Sequence, residues 1–328
     1  MQKILVDIYG ADLGPTPIIK GTLRAMEQFK EIGVIFIGNR GLIEQYCHEN
    51  ERIEIIETDD YITNNENPAV IFGGRDTCSV ALGYARLKQD DECIGMLSAG
   101  STGALLIGSI CRLGLEKELK TPALSCDLPL FNGETACLVD CGANIQCTAK
   151  DLARFALMGD AFRRSIKPES LPRVALLTVG REDGKGTSLH QETFTKLKEL
   201  PINFIGNMEG SDFVTAYADV IVADGFSGNI LLKSSEAAGT VARNLVRSVA
   251  AELGKEQDPL VQAITDKLTL TFDFNTRGGA TFLGTKKAVI KMHGCAVEET
   301  PVACIEQLLR LHNSGFIQKV HDALENFQ

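Results

Sequence analysis

The feature that most restricts the fold is a recurrence: short apolar runs rich in Val, Ile and Leu, each separated from the next by helix-like sequence. Residues 4–8, 34–37, 53–56, 93–97, 136–139, 174–179, 220–223 and 288–292 read as buried strands. Strands that alternate with helices need crossover connections, which favour parallel pairing with helices on both faces. The expected fold is α/β: a doubly wound, mainly parallel sheet in an α/β/α sandwich. No repeat, low-complexity tract or Gly/Ser linker interrupts the pattern, so residues 1–328 are expected to form a single compact α/β domain. A helical protrusion is expected near 235–275. There Val241, Leu245, Val249 and Leu253 recur every four residues, which predicts a long helix over 235–253 with one apolar stripe, and Arg243 and Arg247 share another face. Thr16-Pro17 and Asp258-Pro259 each put a capping side chain ahead of a proline at a helix start.

With 328 residues, 44% of them hydrophobic, the chain buries a large core without staples. Its ten cysteines include no C-x-x-C spacing, so reduced, mostly buried thiols are expected rather than disulfides or a metal centre. A net charge of -10 argues against a nucleic-acid surface, which needs clustered Lys and Arg. The first apolar stretch is broken by Asp7 and is too short for a signal-peptide core, and no apolar run approaches a membrane span of about 18 residues. A cytoplasmic protein is expected.

In open α/β sheets ligands bind beyond the carboxyl ends of the strands, and here those ends are rich in glycine. After the strand at 93–97 comes Ser98-Ala99-Gly100-Ser101-Thr102-Gly103-Ala104 and then a helical run. Glycines let backbone N–H groups approach an anion, a helix start adds partial positive charge, and hydroxyls donate as well. The bland alternative is a tight turn with a Ser or Thr cap, since the loop is neither a Walker loop nor a dinucleotide fingerprint. Similar strand-end loops follow at Asp7–Asp12, Asp140–Asn144, Gly180–Gly186 and Asp224–Asn229. Their Asp residues read equally as helix caps, and Asn144 and Asn229 as left-handed turn residues. Lys185, flanked by glycines, suits contact with a phosphate, with a solvated turn lysine as the alternative. No nucleophile stands with a paired His in these motifs.

Taken in order, the loop from Ser98 to Ala104, Asp140-Cys141-Gly142-Ala143-Asn144, Lys185-Gly186, the stretch from Asn203 to Gly210, Ala218-Asp219-Val220, Asp224-Gly225-Phe226-Ser227-Gly228-Asn229, Leu232-Lys233 and Gly278-Gly279 resemble the phosphate acyltransferase family of bacterial phospholipid synthesis. The resemblance runs from Val6 to His293-Gly294. It implies a homodimer related in fold to the isocitrate and isopropylmalate dehydrogenases and to phosphotransacetylase. It also implies transfer of a fatty acyl group from acyl carrier protein to inorganic phosphate, with no cofactor and no metal. Three places depart from the family pattern: Ser101 stands where the family has Asn, Leu13 where its first loop has His, and Phe72-Gly73-Gly74-Arg75-Asp76 where it carries a basic run, leaving Arg75 as the main cation there. These departures keep a non-catalytic paralogue in view; a phosphotransacetylase acting on coenzyme A thioesters is a second rival, and a dehydrogenase on a related fold, for which the chain lacks a dinucleotide fingerprint, is a third.

On this resemblance Ser98, Gly100, Ser101, Thr102 and Gly103 are expected to hold phosphate, and Lys185 to balance its charge. Asn144, Asn229 and His293 are expected nearest the thioester carbonyl, with Asp224 orienting one of them. An acidic carrier protein needs a local basic patch on an acidic chain. Arg243 and Arg247 are the candidates, with Arg163, Arg164 and Lys167, or Lys286 and Lys287, as alternatives. Peripheral contact of the 235–275 stretch with the inner face of the membrane stays open, although its connecting segment from Gly254 to Asp258 is polar.

Overall fold

The computed structural model describes all residues except 48–49, 131, 169–170, 273–274 and 328. In chain order the elements are β1 (Gln2–Asp7), α1 (Thr16–Gln28), β2 (Ile32–Gly38), α2 (Arg40–Glu44), β3 (Ile53–Glu57), α3 (Ser79–Gln89), β4 (Cys93–Ser98) and α4 (Thr102–Gly108). There follow β5 (Ala123–Pro129), β6 (Thr135–Val139), α5 (Ala149–Ile166), β7 (Arg173–Leu177), α6 (Ser188–Lys198), β8 (Asn203–Met208), β9 (Val220–Val222) and α7 (Gly225–Glu252). The chain ends with α8 (Pro259–Phe272), β10 (Ala280–Leu283), β11 (Ala288–Lys291), α9 (Glu299–Asn313) and α10 (Phe316–Glu325). Contacts group the chain into two compact units: Met1–Cys126 with Leu157–Ser170 and Asn275–Gln328, and Asp127–Ala156 with Leu171–Phe274. Two of the four boundaries fall inside β5 and α5, where composition gives no sign of them.

In the first unit the strand order is β3-β2-β1-β4-β11-β10-β5. The pairs β2–β3, β1–β2, β1–β4 and β4–β11 are parallel, while β10 runs antiparallel to both β11 and β5. Helices cover both faces. A side chain at Gly95 of β4 would strike Leu308 of α9, whereas Met96, on the opposite face, lies against Gly83 of α3. The edge strand β3 is only half-buried, so the run at 53–56 is an edge rather than a core strand.

In the second unit the order is β6-β9-β7-β8, all parallel. All eight runs read from sequence are strands; β5, β8 and β10 were not anticipated. The long helix expected over 235–253 is real but begins ten residues earlier, at Gly225, because Asp224 caps it. Its stripe of Val241, Leu245, Val249 and Leu253 faces solvent at 45–66% exposure. The face that packs instead carries small residues: Gly239 lies so close to α8 that a Cβ there would meet the Phe272 ring at 2.5 Å. Residues 273–274 of the expected protrusion lie outside the described residues.

Asp258 caps α8 as expected, accepting from Leu260 N at 2.9 Å. Thr16 does not cap α1: Pro15 occupies the N-cap, so Thr16 lies inside the first turn and its hydroxyl meets Tyr46. All ten cysteines are free thiols; five are buried, and Cys111 and Cys295 are exposed, so burial is less general than expected. Among the described residues no helix is long and apolar enough to cross a membrane.

Candidate active site

In the first unit, three strand-end loops meet around Ser98. The Asp7 carboxylate at the end of β1 is fully buried and accepts from Ser98 Oγ at 2.7 Å and from Tyr9 N at 3.1 Å. Ser98 Oγ in turn accepts from Gly100 N at 3.0 Å, so one carboxylate sets the start of the glycine loop. Burial pushes the Asp7 carboxyl up to about 6, against the opposing pull of its hydrogen bonds. Lys291 Nζ donates to the Ala99 carbonyl at 3.1 Å and to the Met292 carbonyl at 2.6 Å, tying the loop to β11.

Gly10, at φ +91°, brings the β1 loop against this one, since a Cβ there would lie 2.3 Å from Gly100 Cα. Asp12 N donates to the Gly294 carbonyl at 2.8 Å, which adds the segment carrying His293. The first unit therefore gathers Ser98, Gly100, Ser101, Thr102 and Gly103 with the segment that includes His293. Ser101 is buried at the N-cap of α4, while Thr102 and Gly103 are half-buried in its first turn. His293 Nδ1 lies 2.9 Å from the exposed Cys295 Sγ. Leu13, at the departure in the first loop, is 61% exposed.

In the second unit the hub is Asp140, which sequence reasoning placed in a motif but gave no role. Its buried carboxylate accepts from Gly142 N and Ala143 N at 3.0 Å, from Asn144 N at 2.6 Å and from Asn144 Nδ2 at 2.7 Å. The first turn of α7 docks on this loop through two glycines. Gly225 N donates to the Asn144 carbonyl at 2.7 Å, and a Cβ at Gly228 would lie 1.9 Å from the Asp140 carbonyl oxygen. That docking puts Asn229, which is exposed, beside Gly142. Neither Asn144 nor Asn229 is a left-handed turn residue: among the described non-glycine residues only Ala216 has a positive φ.

Asp224 caps α7, with one oxygen on Ser227 N at 2.9 Å and the other on Ser227 Oγ at 2.8 Å. The carboxylate that orients an asparagine is Asp140, not Asp224. Cys141 is buried, as read from sequence, and burial pushes the Cys147 thiol up to about 12, which keeps Cys147 protonated at neutral pH.

Lys185 sits on an exposed loop, 3.7 Å from Glu182. That loop is fixed at its base by Asn207 Nδ2, which donates to the Glu182 carbonyl at 2.8 Å, and by an ion pair between Arg181 and Asp212. Gly186, at φ +88°, lets the backbone pass close to His190, where an added Cβ would lie 2.6 Å from the His190 Cβ and 2.8 Å from its ring. Thr187 N donates to His190 Nδ1 at 3.3 Å, and burial pushes this imidazole down, toward its neutral form. His190 was not anticipated; its place three residues after a capping threonine was the signal available.

The basic alternatives for carrier docking are engaged within the fold. Arg163 is buried, Arg164 pairs with Asp160, Lys286 with Glu116, and Lys287 donates to the Asp90 and Cys93 carbonyls. Arg243 and Arg247 on α7 form no ion pair among the described residues.

Known proteins share the fold and much of the sequence of this chain. Solved structures similar in fold include a branched-chain phosphotransacylase from Enterococcus faecalis (TM-score 0.61, 15% identity, 95% of this chain and 99% of that one). A phosphotransacetylase from Streptococcus pyogenes is another (TM-score 0.56, 17% identity, 99% and 95%). Sequence relatives described as phosphate acyltransferase come from Caldanaerobacter subterraneus, at 34% identity over 99% of this chain and 98% of the relative, and from Bacillus cereus, at 32% over the same shares. The model of the family described as fatty acid synthesis protein matches residues 2–319, and the chain belongs to that family.

Proposed function

We propose that the protein transfers a fatty acyl group from the thioester of acyl carrier protein to inorganic phosphate, releasing the carrier thiol and an acyl phosphate. The observation that supports this most strongly is the full-length likeness to proteins named phosphate acyltransferase. A phosphate oxygen attacks the carbonyl carbon, the carbon–oxygen bond forms, the carbon–sulfur bond breaks, and the proton of hydrogen phosphate goes to the departing thiolate. Phosphate is already ionised near neutral pH, so positioning and oxyanion stabilisation are the main requirements. Loops rich in N–H, hydroxyl and amide donors suit that task.

We assign Ser98, Gly100, Ser101, Thr102 and Gly103 to phosphate and Lys185 to its charge. Asn144, Asn229 and His293 are assigned to the carbonyl oxygen, and Asp224 to fixing the α7 turn that carries Asn229. Arg243 and Arg247 form the docking patch for the acidic carrier in a cytoplasmic homodimer.

Phosphate-dependent release of carrier thiol from a long-chain acyl carrier protein, with trapping of acyl phosphate, tests the reaction, and acetyl-coenzyme A serves as the parallel donor. Binding of the carrier without turnover would refute catalysis, and equal use of acetyl-coenzyme A would point to a phosphotransacetylase. Lys185→Ala and Thr102→Val probe the two units separately. Each is expected to raise the phosphate KM by about 10-fold or more, the effect of losing one charge-assisted contact. Unchanged phosphate kinetics in both would remove the proposed cradle.

A further inference from the structure

The second unit contains a cavity of ≈ 900 Å³ walled by α7, α8 and the loops after β7 and β8, near the top of the range for small-molecule sites. Its wall includes Leu177, Val179, Phe213, Leu231, Ala238 and Phe272. Among the described residues that line it, none is Asp, Glu, Lys or Arg. Four of the hydroxyls in the wall are turned to the protein itself: Thr178 donates to the Gly180 carbonyl, Ser227 to Asp224 and Ser235 to the Leu232 carbonyl, and Thr187 Oγ1 lies 2.9 Å from His190 Nδ1. The one titratable side chain, His190, is pushed toward its neutral form by burial.

The shape is as informative as the lining. Ser227, Leu231, Ser234 and Ala238 lie along one face of α7, so the cavity runs for about 16 Å of helix. One end, at Ser227 and Gly186, adjoins the α7 cap and Lys185. The other ends at Phe272, seated against Gly239. At the rim Val179 and Ile230 are 82% and 50% exposed, an apolar surface that water covers poorly. A cavity that runs along α7, has an apolar and uncharged lining and begins beside the candidate catalytic loops suits an aliphatic chain better than a nucleotide or a sugar, which need charged or hydrogen-bonding partners.

We infer that this cavity holds the acyl chain of the thioester donor, with the carbonyl end toward Ser227 and Gly186 and the methyl end toward Phe272. The inference rests on the acyl-transfer reading and adds a site and a length limit to it. Each buried methylene strengthens binding about fourfold, so the cavity favours long chains over short ones. Ser234 and Ala238 act as marks along the chain; both are exposed, so tryptophan at either fills the cavity without disturbing the core.

The test uses the full chain and the variants Ser234→Trp and Ala238→Trp. Palmitate binding is read by displacement of 11-(dansylamino)undecanoate, and turnover with butyryl and palmitoyl thioesters of acyl carrier protein. Ala238→Trp is expected to weaken palmitate binding and raise the palmitoyl-donor KM at least tenfold, with the butyryl donor changed less than twofold. Ser234→Trp is expected to exclude shorter chains as well. Unchanged palmitate affinity in both variants would overturn the assignment, and a loss of dimer mass with unchanged palmitate affinity would give the groove to a second copy. A wild-type protein that binds palmitate in a Trp-sensitive way yet releases no thiol would keep the cavity and reject the transferase reading.

Discussion

Asp140→Ala is expected to abolish turnover, lowering kcat by three orders of magnitude or more, and to destabilise the protein by about 3–5 kcal/mol. The carboxylate serves four donors at once, three of them backbone N–H groups of one loop. Removing it leaves those donors without their shared acceptor, each at a cost of about 1–3 kcal/mol before the loop relaxes. Relaxation limits the loss of stability but not of activity, because the relaxed loop no longer presents Asn144 or the platform on which Gly228 rests. The control is Asn144→Ala, which removes only the carboxamide. Thermal unfolding and kcat measured on both separate the effects: Asp140→Ala should lose stability and rate, Asn144→Ala chiefly rate. A fully active, stable Asp140→Ala protein would show that the loop holds its shape by other means.

The second large effect is a pH dependence centred on Asp7. Its carboxyl is raised to about 6 by burial, above the ordinary 3.8. Between these values the folded state binds a proton that the unfolded chain has released, so this group favours folding at low pH. The stabilisation is fully present below pH 3.8 and disappears as pH rises through 6, amounting to about 3 kcal/mol across that window at 1.36 kcal/mol per pH unit. Asp7→Asn cannot titrate, so the denaturation midpoints of the two proteins should diverge with pH. The amide variant gains on the wild type as pH rises from 4 to 7, whatever its starting stability. Parallel curves would show that Asp7 titrates alike folded and unfolded.

The fold was readable because burial and alternation leave a direct trace: a parallel strand covered on both faces must be apolar throughout, and residues 34–37 and 93–97 are. The missed strands lack that trace. β5 includes Asp127 and Pro129, β10 has four residues in an antiparallel insertion, and β8 is an edge strand with Asn203, Gly206 and Asn207 in it.

At the site, order along the chain identified the loops but not their internal wiring. That Asp224 caps α7 while Asp140 holds Asn144 depends on which backbone N–H groups point inward, and both aspartates look alike as strand-end residues. Likewise Arg75 reads as the main cation of the stretch from Phe72 to Asp76, yet Asp60 and Glu66 neutralise it. The two faces of α7 illustrate the same limit. A period of four located the apolar stripe, but small residues at Ser235 and Gly239 decide which face meets a neighbour.

The contact of Gly10 with Gly100 has a bearing on how such a protein diverges. Two backbones touch there with no side chain between them, so the loop from Ser98 to Gly103 is located by main-chain geometry and by Asp7 rather than by its own side chains. Drift at position 10 is closed off, because any added carbon would push the loops apart. Positions 13 and 101 are not constrained in that way: Leu13 projects into solvent, and Ser101 contributes no side-chain bond to the cap of α4. Family members can therefore exchange the groups that greet the ligand while inheriting an unaltered frame, and a histidine at 13 or an asparagine at 101 can be restored here without rebuilding the loop that carries it.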